Sequence, residues 1–383
     1  MTVNNSFVTK KFLGSNTGEG FKGFYGDLLS GSGFGYRNQS IYILKGGPGT
    51  GKSTFIKKVA AMLEKSDCDA ELLLCSGDVK SLDGVSSKTG GITVVDGTNP
   101  HCIEPVCPGV RESIVNLGAF WNREVLKKYS DEIENLSEKK AIMYKKAYHY
   151  LAAANEINKE RSGILNRCID RRKMKLYGES FAEELIPKKD DAEVLGVKRR
   201  AFSTAVTSEG VFGAVPGMSD GELRGYKIYC INSELGISCE PILDEVAEKA
   251  VSSGYDVDLY YCGFDAGKLE HIVIPELNIA IVTSNEYHPY DKQNIEQEIL
   301  PEGFLKSSVT VSSERCMDYD IGYAKIRFDE LLERAFRALQ KASGYHHSME
   351  DYYIESMDFA SLNDFADYVL CDMAKLIHEN VLG

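Results

Sequence analysis

Residues 46–53, with the sequence GGPGTGKS, restrict what this chain can fold into more than any other stretch does. They follow an apolar run typical of a buried strand (41–44) and precede apolar residues at helical spacing (55–63). A strand, a glycine-rich loop and a helix in this order match the motif G-x-x-x-x-G-K-[ST], whose backbone N–H groups cradle phosphates. The sequence therefore predicts a nucleotide phosphate site at this turn.

The motif assigns a role to each type of residue. Glycine is needed where the backbone turns tightly, and the positive end of the following helix favours an anion. Lys52 is predicted to reach the β- and γ-phosphates, and the Ser53 hydroxyl to bind Mg²⁺. The predicted nucleotide contacts are Gly46, Gly47, Pro48, Gly49, Thr50, Gly51, Lys52, Ser53 and Thr54.

Length and charge narrow the class of protein. The chain has 383 residues, enough for two domains, and a formal net charge of −13, which argues against general affinity for nucleic acid. No apolar run approaches membrane-spanning length, and the first residues lack the apolar core of a signal peptide. We therefore expect a cytoplasmic protein that does not bind membranes. Its ten cysteines show no paired spacing and are expected to be reduced thiols.

An internal repeat relates the two halves of the chain. A shift of 187 residues aligns 41–101 with 228–288 without a gap, and 14 of these 61 pairs are identical. In the second copy the loop reads SELGISCE (233–240), with Cys239 and Glu240 at the positions of Lys52 and Ser53. Because carboxylates in this loop would repel phosphates, we predict a duplicated unit with one intact and one degenerate site.

The strand at 91–96 differs between the copies in the same way. It ends in Asp96, the usual place of the carboxylate that holds Mg²⁺ across from the loop serine, and its counterpart is Thr283. Since the lysine, the serine and the aspartate are lost together, they are predicted to form one site. Lys52 and Asp96 are the predicted catalytic residues, and Ser53 and Asp96 the predicted metal ligands.

Residues that both copies share are more readily explained as structural. Asp78 pairs with Asp265, and His101 with His288. A carboxylate in the position of Asp78 could orient a nucleophile or a substrate hydroxyl, as in small-molecule kinases. Its presence in the half without a phosphate loop favours a turn or capping role instead.

Helical segments separate and follow the two copies. Residues 119–162 contain no glycine or proline, and apolar residues at 3-4 spacing predict a long helix with a coiled-coil seam. A helix returning from 164 would complete an antiparallel arm. Two further helices, at 323–342 and 362–377, form a second and shorter appendage. The predicted domains are a P-loop unit (1–110), a helical hairpin arm (111–198), a degenerate P-loop-like unit (199–300) and a C-terminal helical appendage (301–383).

The predicted fold is therefore a duplicated α/β three-layer sandwich of the P-loop NTPase type with an inserted helical arm. Gly97 follows Asp96 where ATPases of the AAA and RecA type usually place a water-activating glutamate, so a kinase-like architecture stays open. No N-K-x-D motif for reading guanine is present, so ATP is favoured over GTP. Arg111, Arg123 and Arg224 are candidates for a charge-stabilising finger.

Three segments together carry a resemblance to a known family. The sequences ILKGGPGTGKST, CSGDVKSLDGV and VVDGTNPH, repeated weakly as YCGFDAGKLEHIVIPELNIAIV, resemble a family of bacterial tandem phosphate-loop, ATPase-like proteins over nearly the whole chain. The resemblance implies ATP binding and suggests hydrolysis, and it supplies no substrate. In that family both halves can carry a loop of the form GxPGTGKST, whereas here only the first does.

Three functional hypotheses follow. The first is a Mg²⁺-dependent ATPase that acts as a switch or a partner-stimulated module, with a protein partner at the helical arm. The second is a kinase for a small molecule or a nucleotide. The third is a non-catalytic, nucleotide-binding regulator. A homo-oligomer is compatible with all three, because the helical appendages could pack between chains.

Overall fold

The computed structural model of the chain describes residues 8–29, 39–189, 194–213, 225–290, 295–306 and 311–382, and for 311–318 the backbone alone. The elements of the first half are, in order, β1 (Val8–Phe12), β2 (Gly14–Thr17), β3 (Gly20–Gly23), β4 (Ser40–Lys45), α1 (Lys52–Lys65), β5 (Ala70–Leu74), β6 (Leu82–Ser87), β7 (Ile92–Asp96), β8 (Glu112–Asn116), α2 (Arg123–Leu126), α3 (Ser130–Cys168) and α4 (Arg171–Leu185).

The second half continues with strands and then ends in two helices. Its elements are β9 (Lys198–Phe202), β10 (Thr204–Val206), β11 (Val211–Gly213), β12 (Lys227–Asn232), α5 (Glu240–Ser252), β13 (Val257–Tyr261), β14 (Leu269–Ile274), β15 (Ile279–Ser284), β16 (Ile295–Ile299), α6 (Val311–Glu355) and α7 (Phe359–Leu382). Strands β2–β3 and β10–β11 form two separate hairpins.

Strands from both halves form one mixed sheet. Its order is β16-β12-β15-β14-β13-β9-β1-β5-β6-β7-β4-β8, and the halves meet where Phe12 of β1 pairs antiparallel with Phe202 of β9. The order from the centre to either edge is the same in the two halves. In each half of this sheet one strand, β6 or β14, runs antiparallel to its two neighbours, and the other pairs within that half are parallel. The chain is thus an α/β protein in which the two predicted copies share a sheet.

The strand positions follow the offset of the sequence repeat. Strand β4 begins at Ser40 and β12 at Lys227, and β6 and β14 begin at Leu82 and Leu269. Both differences are 187 residues, the shift that aligns the sequences. The aligned segments of the two halves therefore form strands at matching positions.

Each half of the chain buries one helix, α1 or α5, against another helix and the sheet. The apolar face of α1 packs with α7 in a core that includes Phe55, Ile56, Val59, Leu63, Met373 and Ile377. The corresponding face of α5 packs with α4 in a second core that includes Met174, Phe181, Ile242, Leu243 and Val246. Burial of one such side chain stabilises a fold by about 1.5–3 kcal/mol, so these faces fix both helices on the sheet.

The long helix α3 packs along α6 rather than against α4. Tyr129 lies against Tyr352, with 4.8 Å between ring centroids, and Arg334 lies over the ring of Tyr150, so the two helices run antiparallel. The predicted hairpin within 111–198 is therefore not the packing observed, because α4 packs on α5. The helices predicted at 323–342 and 362–377 are confirmed as parts of α6 and α7. The sequence predicted that the C-terminal helical appendage is shorter than the inserted arm. Instead, α6 has 45 residues and α3 has 39.

An ion-pair network lies where the halves meet. Lys11 Nζ is 2.8 Å from Glu71 Oε1 and 2.9 Å from Asp258 Oδ2, and Arg199 also binds Asp258. Lys11 and Asp258 are buried, and the sequence repeat aligns Glu71 with Asp258. Two carboxylates at equivalent positions are thus held together by cations from the two central strands.

Two sequence expectations concern cysteines and membranes. The cysteines whose side chains are described are free thiols, as predicted. Among the described helices, none is both long enough and apolar enough to span a lipid bilayer.

Candidate functional site

The predicted phosphate loop lies at the junction of β4 and α1, which we call the 46–53 loop. Gly46, Gly49 and Gly51 have φ angles of 154°, 69° and 76°, in the left-handed region where residues with a Cβ are strained. Thr50 Oγ1 donates to the carbonyl of Gly47 at 2.9 Å and closes the turn. The glycines of the motif are therefore required by the backbone itself.

Lys52 and Asp96 are brought together at the end of two adjacent parallel strands. Strand β7 pairs with β4 so that Asp96 lies opposite Leu44, two residues before the loop. Lys52 Nζ donates to the carbonyls of Gly46 and Gly47, both at 2.8 Å, and lies 3.7 Å from Asp96 Oδ2. The ammonium thus folds back over its own loop and faces the carboxylate.

The two predicted metal ligands are each held by the backbone. Asp96 Oδ1 accepts hydrogen bonds from the N–H of Thr98 at 2.8 Å and from its hydroxyl at 2.6 Å, which leaves Oδ2 directed toward Lys52. Ser53 Oγ accepts from the N–H of Leu82 at 3.0 Å. A hydroxyl and a carboxylate are the oxygen ligands that suit Mg²⁺, which usually completes its shell with waters and substrate phosphates. The residues present therefore fit this ion. Thr54, the last predicted contact, is exposed in the first turn of α1.

The carboxyl end of α6 covers the 46–53 loop. The N–H of Gly49 donates to Glu350 Oε1 at 3.1 Å. A Cβ at Gly49 would come within 2.8 Å of Ile354, and one at Gly47 within 2.9 Å of Trp121. The sequence analysis missed this contact, because no local pattern links residues about 300 positions apart.

The corresponding loop of the second half, 233–240, is built differently. Glu240 Oε1 accepts from the N–H of Leu269 at 3.3 Å, the same contact that Ser53 makes with Leu82. Burial raises the pKa of the Cys239 thiol, which replaces Lys52, to about 11, so the thiol is neutral near pH 7. At these two positions the loop therefore offers no cation to phosphates and places a carboxylate where the first half has a hydroxyl.

Helix α3 covers the 233–240 loop as α6 covers the 46–53 loop. Arg161, 2% exposed, lies 3.0 Å from Glu234 and 3.1 Å from Glu286. Asn166 donates to the carbonyl of Gly236 at 2.7 Å and accepts from the N–H of Ser238 at 3.0 Å. Side chains of α3 thus bind polar groups of Glu234, Gly236 and Ser238 in the 233–240 loop.

The residues shared by both halves support turns and buried ion pairs. Asp78 accepts from the N–H of Lys80 at 3.0 Å, and Asp265 accepts from that of Gly267 at 3.0 Å, as expected for a turn role. His101 Nε2 lies 3.1 Å from Asp83. Burial on its own would lower the pKa of the His101 imidazole, but the charge and the hydrogen bond of Asp83 outweigh it, so the pKa is raised above its ordinary value of 6.5.

A buried cluster in the second half has the composition of a metal site. Suitable atoms of Glu270, His271 and His288 lie within 4.8 Å of one another. However, His271 Nδ1 accepts from the N–H of Thr283 at 2.8 Å, so the single proton of the neutral ring is on Nε2. Lys268 Nζ is also 3.6 Å from Glu270. Because His271 has no free lone pair and an ammonium lies beside the carboxylate, we do not assign a metal to this cluster.

The structure gives no catalytic role to the candidate arginines. Arg111 Nε donates to Glu112 at 2.6 Å, and its other end donates to the carbonyl of Leu29. Arg123 is exposed at the start of the short helix α2. Arg224 lies outside the described residues.

Comparison with known proteins returned no match: no family model, no curated protein and no solved structure resembles this chain at the significance required.

Proposed function

We propose that this chain is a Mg²⁺-dependent ATP-binding protein of the P-loop class that hydrolyses ATP slowly, as a switch or a partner-stimulated module. The observation that carries the proposal is the 3.7 Å approach of Lys52 to Asp96 beside a loop with three left-handed glycines. Lysine, carboxylate and glycine-rich loop are the parts that bind the phosphates and Mg²⁺ in such proteins.

Each side chain of the site has a defined task in this proposal. Backbone N–H groups of the 46–53 loop bind phosphate oxygens, and Lys52 exchanges the loop carbonyls for the β- and γ-phosphates. Ser53 and Asp96 would hold Mg²⁺, which neutralises charge on the phosphates when bound. The lack of an N-K-x-D motif favours adenine over guanine as the base.

We further propose that the two halves arose by duplication of one P-loop unit. The common strand order and the common offset of 187 residues support it. So does the shared contact between helix and strand, in which Glu240 replaces Ser53. In this view the second half keeps the framework and has lost the site.

Hydrolysis is expected to be slow without a stimulating partner. Gly97 occupies the position after Asp96 where many ATPases place a water-activating glutamate. P-loop proteins without a fully assembled catalytic set turn over on the order of 10⁻⁴ to 10⁻² per second. Stimulation by a protein that contacts the α3–α6 pair would fit the switch hypothesis.

The direct test measures Mg²⁺-dependent ATP turnover by the purified protein and by Lys52→Ala. The matched control is Lys57→Ala, which removes an exposed lysine of the same helix whose ammonium binds only the carbonyl of Lys80 in the described contacts. We expect turnover to be lost in Lys52→Ala and kept in Lys57→Ala. Equal turnover in all three proteins would contradict the assignment of the site.

One observation favours a small-molecule kinase as the second candidate. A cavity of about 240 Å³ lies between the turn after β5, the tip of the β10–β11 hairpin and α6. Its lining includes Asp78, Lys80, Ser208 and His347. The turn that lines this cavity precedes Leu82, whose N–H donates to Ser53 of the proposed phosphate site.

In the kinase hypothesis this cavity holds a small acceptor, and Asp78 orients its hydroxyl. A screen of hydroxylated metabolites, with transfer of the γ-phosphate as the readout, would identify such an acceptor. Asp78→Asn should then abolish transfer and leave ATP binding intact. Unchanged transfer in Asp78→Asn would remove that role from Asp78.

A further inference from the structure

The chain supplies its own anion to the loop that we assign to phosphates. Glu350 Oε1 accepts the N–H of Gly49 at 3.1 Å, and Gly49 is the central residue of the glycine-rich turn. Phosphate-binding loops use such N–H groups to hold phosphate oxygens. A carboxylate therefore occupies a donor that the nucleotide needs.

Neighbouring contacts hold the end of α6 in this position. Ile354 lies against Gly49, and Trp121 lies against Gly47. The ring centroids of Trp121 and Tyr353 are 5.2 Å apart. The N–H of Asn122 donates to the carbonyl of Ser356 at 2.7 Å, just past the end of α6. The helix end is thus fastened to the segment that follows β8, and Glu350 is carried over the loop.

One polar group in this contact lacks a partner. The buried indole N–H of Trp121 has no hydrogen-bond partner among the described residues. A buried donor without an acceptor destabilises the arrangement that contains it, so the covered state is favoured less than its apolar contacts alone suggest.

We propose that Glu350 is a built-in competitor of the nucleotide phosphate and sets the affinity of the 46–53 loop. The inference rests on the proposed function, since it names what regulates that site. The Glu350 carboxylate and a phosphate oxygen cannot both accept the hydrogen bond of the Gly49 N–H. Two negative charges that close to each other would also repel. Nucleotide therefore binds only when the Glu350 side chain leaves the loop, and a change that moves the end of α6 raises the affinity.

The test compares two variants of Glu350 with the wild-type chain. Glu350→Ala removes both the acceptor and the charge, and Glu350→Gln keeps the shape and removes only the charge. The matched control is Asp351→Asn, which removes an exposed carboxylate one residue further along α6. The dissociation constant for Mg·ATP is measured for each, with turnover at saturating ATP and hydrogen exchange of residues 46–54 without nucleotide.

We expect Glu350→Ala to bind Mg·ATP about tenfold tighter than wild type, with Glu350→Gln in between and Asp351→Asn unchanged. Hydrogen exchange of the loop should be faster in Glu350→Ala. Equal affinities in all four proteins would overturn the competition and leave the proposed function standing. Unchanged affinity with lost turnover in Glu350→Gln would overturn it as well, because Glu350 would then act on the reaction. No binding by any protein would contradict the proposed function itself.

Discussion

Asp96 shows how one residue can be fixed by the fold and remain available for chemistry. Thr98 holds one carboxylate oxygen through two hydrogen bonds, and the other oxygen faces Lys52. The sequence predicted that Lys52 and Asp96 share a site because the second half lacks the lysine, the serine and the aspartate together. The sequence could not predict which groups accept hydrogen bonds from the Lys52 ammonium in the absence of phosphate.

Replacing Asp96 by Asn should separate the two tasks of this side chain. The amide oxygen can still accept from Thr98, so the free energy of unfolding should change by less than about 1 kcal/mol. The neutral amide is a much weaker Mg²⁺ ligand, so ATP binding should lose most of its Mg²⁺ dependence. The measurement is ATP affinity with and without Mg²⁺, with Thr98→Val as the control that keeps the carboxylate. Retained Mg²⁺ dependence in Asp96→Asn would exclude it as a ligand.

His271 should make the protein less stable in acid. Burial and the charge of His288 lower its pKa to about 3 in the folded chain, against an ordinary value of 6.5. Between these values the unfolded chain binds a proton that the folded chain does not, so stability falls as the pH decreases from about 6.5 toward 3.

The matching substitution is His271→Asn, whose amide oxygen can accept from the N–H of Thr283. Removing this titration should flatten the slope of unfolding free energy against pH by up to about 1.4 kcal/mol per pH unit. Denaturant unfolding at pH 4.5, 5.5 and 6.5 measures it. The exposed His149, replaced by Asn, serves as the control. A slope equal to that of wild type would contradict the buried neutral state of His271.

At the scale of elements, the sequence predicted individual helices and turns better than it predicted which elements pack together. The glycine-rich turn and the helix after it were predictable because adjacent residues determine them. The apolar seam of α3 showed that this helix must pack against another element, but a stripe of apolar residues does not identify that element. The seam is covered by α6, and α4 instead packs on α5, where Gly178 permits close approach to Pro241. Glu350 was missed for the same reason, since its contact with Gly49 depends on packing between elements that are distant in the sequence.

Phe328 should be a main support of the α6 contact. It is 1% exposed and packs against both Phe264 and Tyr287, whose ring centroids are 5.4 Å and 5.3 Å from its own. Phe328→Ala is expected to lower the free energy of unfolding by about 3–5 kcal/mol, through lost burial and a residual cavity. Tyr323→Ala, at a half-exposed position of the same helix, should change it by no more than about 0.5 kcal/mol. Comparable losses in the two variants would show that α6 does not pack as described.

At the scale of the whole molecule, a continuous sheet joins the half that carries the 46–53 loop to the half that carries the 233–240 loop. The sequence repeat predicted the two units but not that they share a sheet, because edge pairing depends on long-range geometry. Among the described strands, Phe12 and Phe202 are the residues that pair directly across the junction, and the ion network around Lys11 is one of the contacts that hold the halves together.

Lys11→Met tests this junction. The substitution would leave Glu71 and Asp258 close together with less compensating charge, and breaking a buried pair costs about 3–5 kcal/mol. Adding Asp258→Asn should recover part of the loss, because it removes one of the two carboxylate charges. Both free energies of unfolding are measured with denaturant. A single variant as stable as wild type would contradict the role of Lys11.

The central claim is that one half binds nucleotide and the other does not. Isothermal titration of Mg·ATP into the purified chain, with Lys52→Ala alongside, tests it most directly. We predict one ATP per chain and no binding by Lys52→Ala, because the 233–240 loop has no lysine at that position and is occupied by Arg161 and Asn166. Two nucleotides per chain, or one that survives Lys52→Ala, would contradict the account.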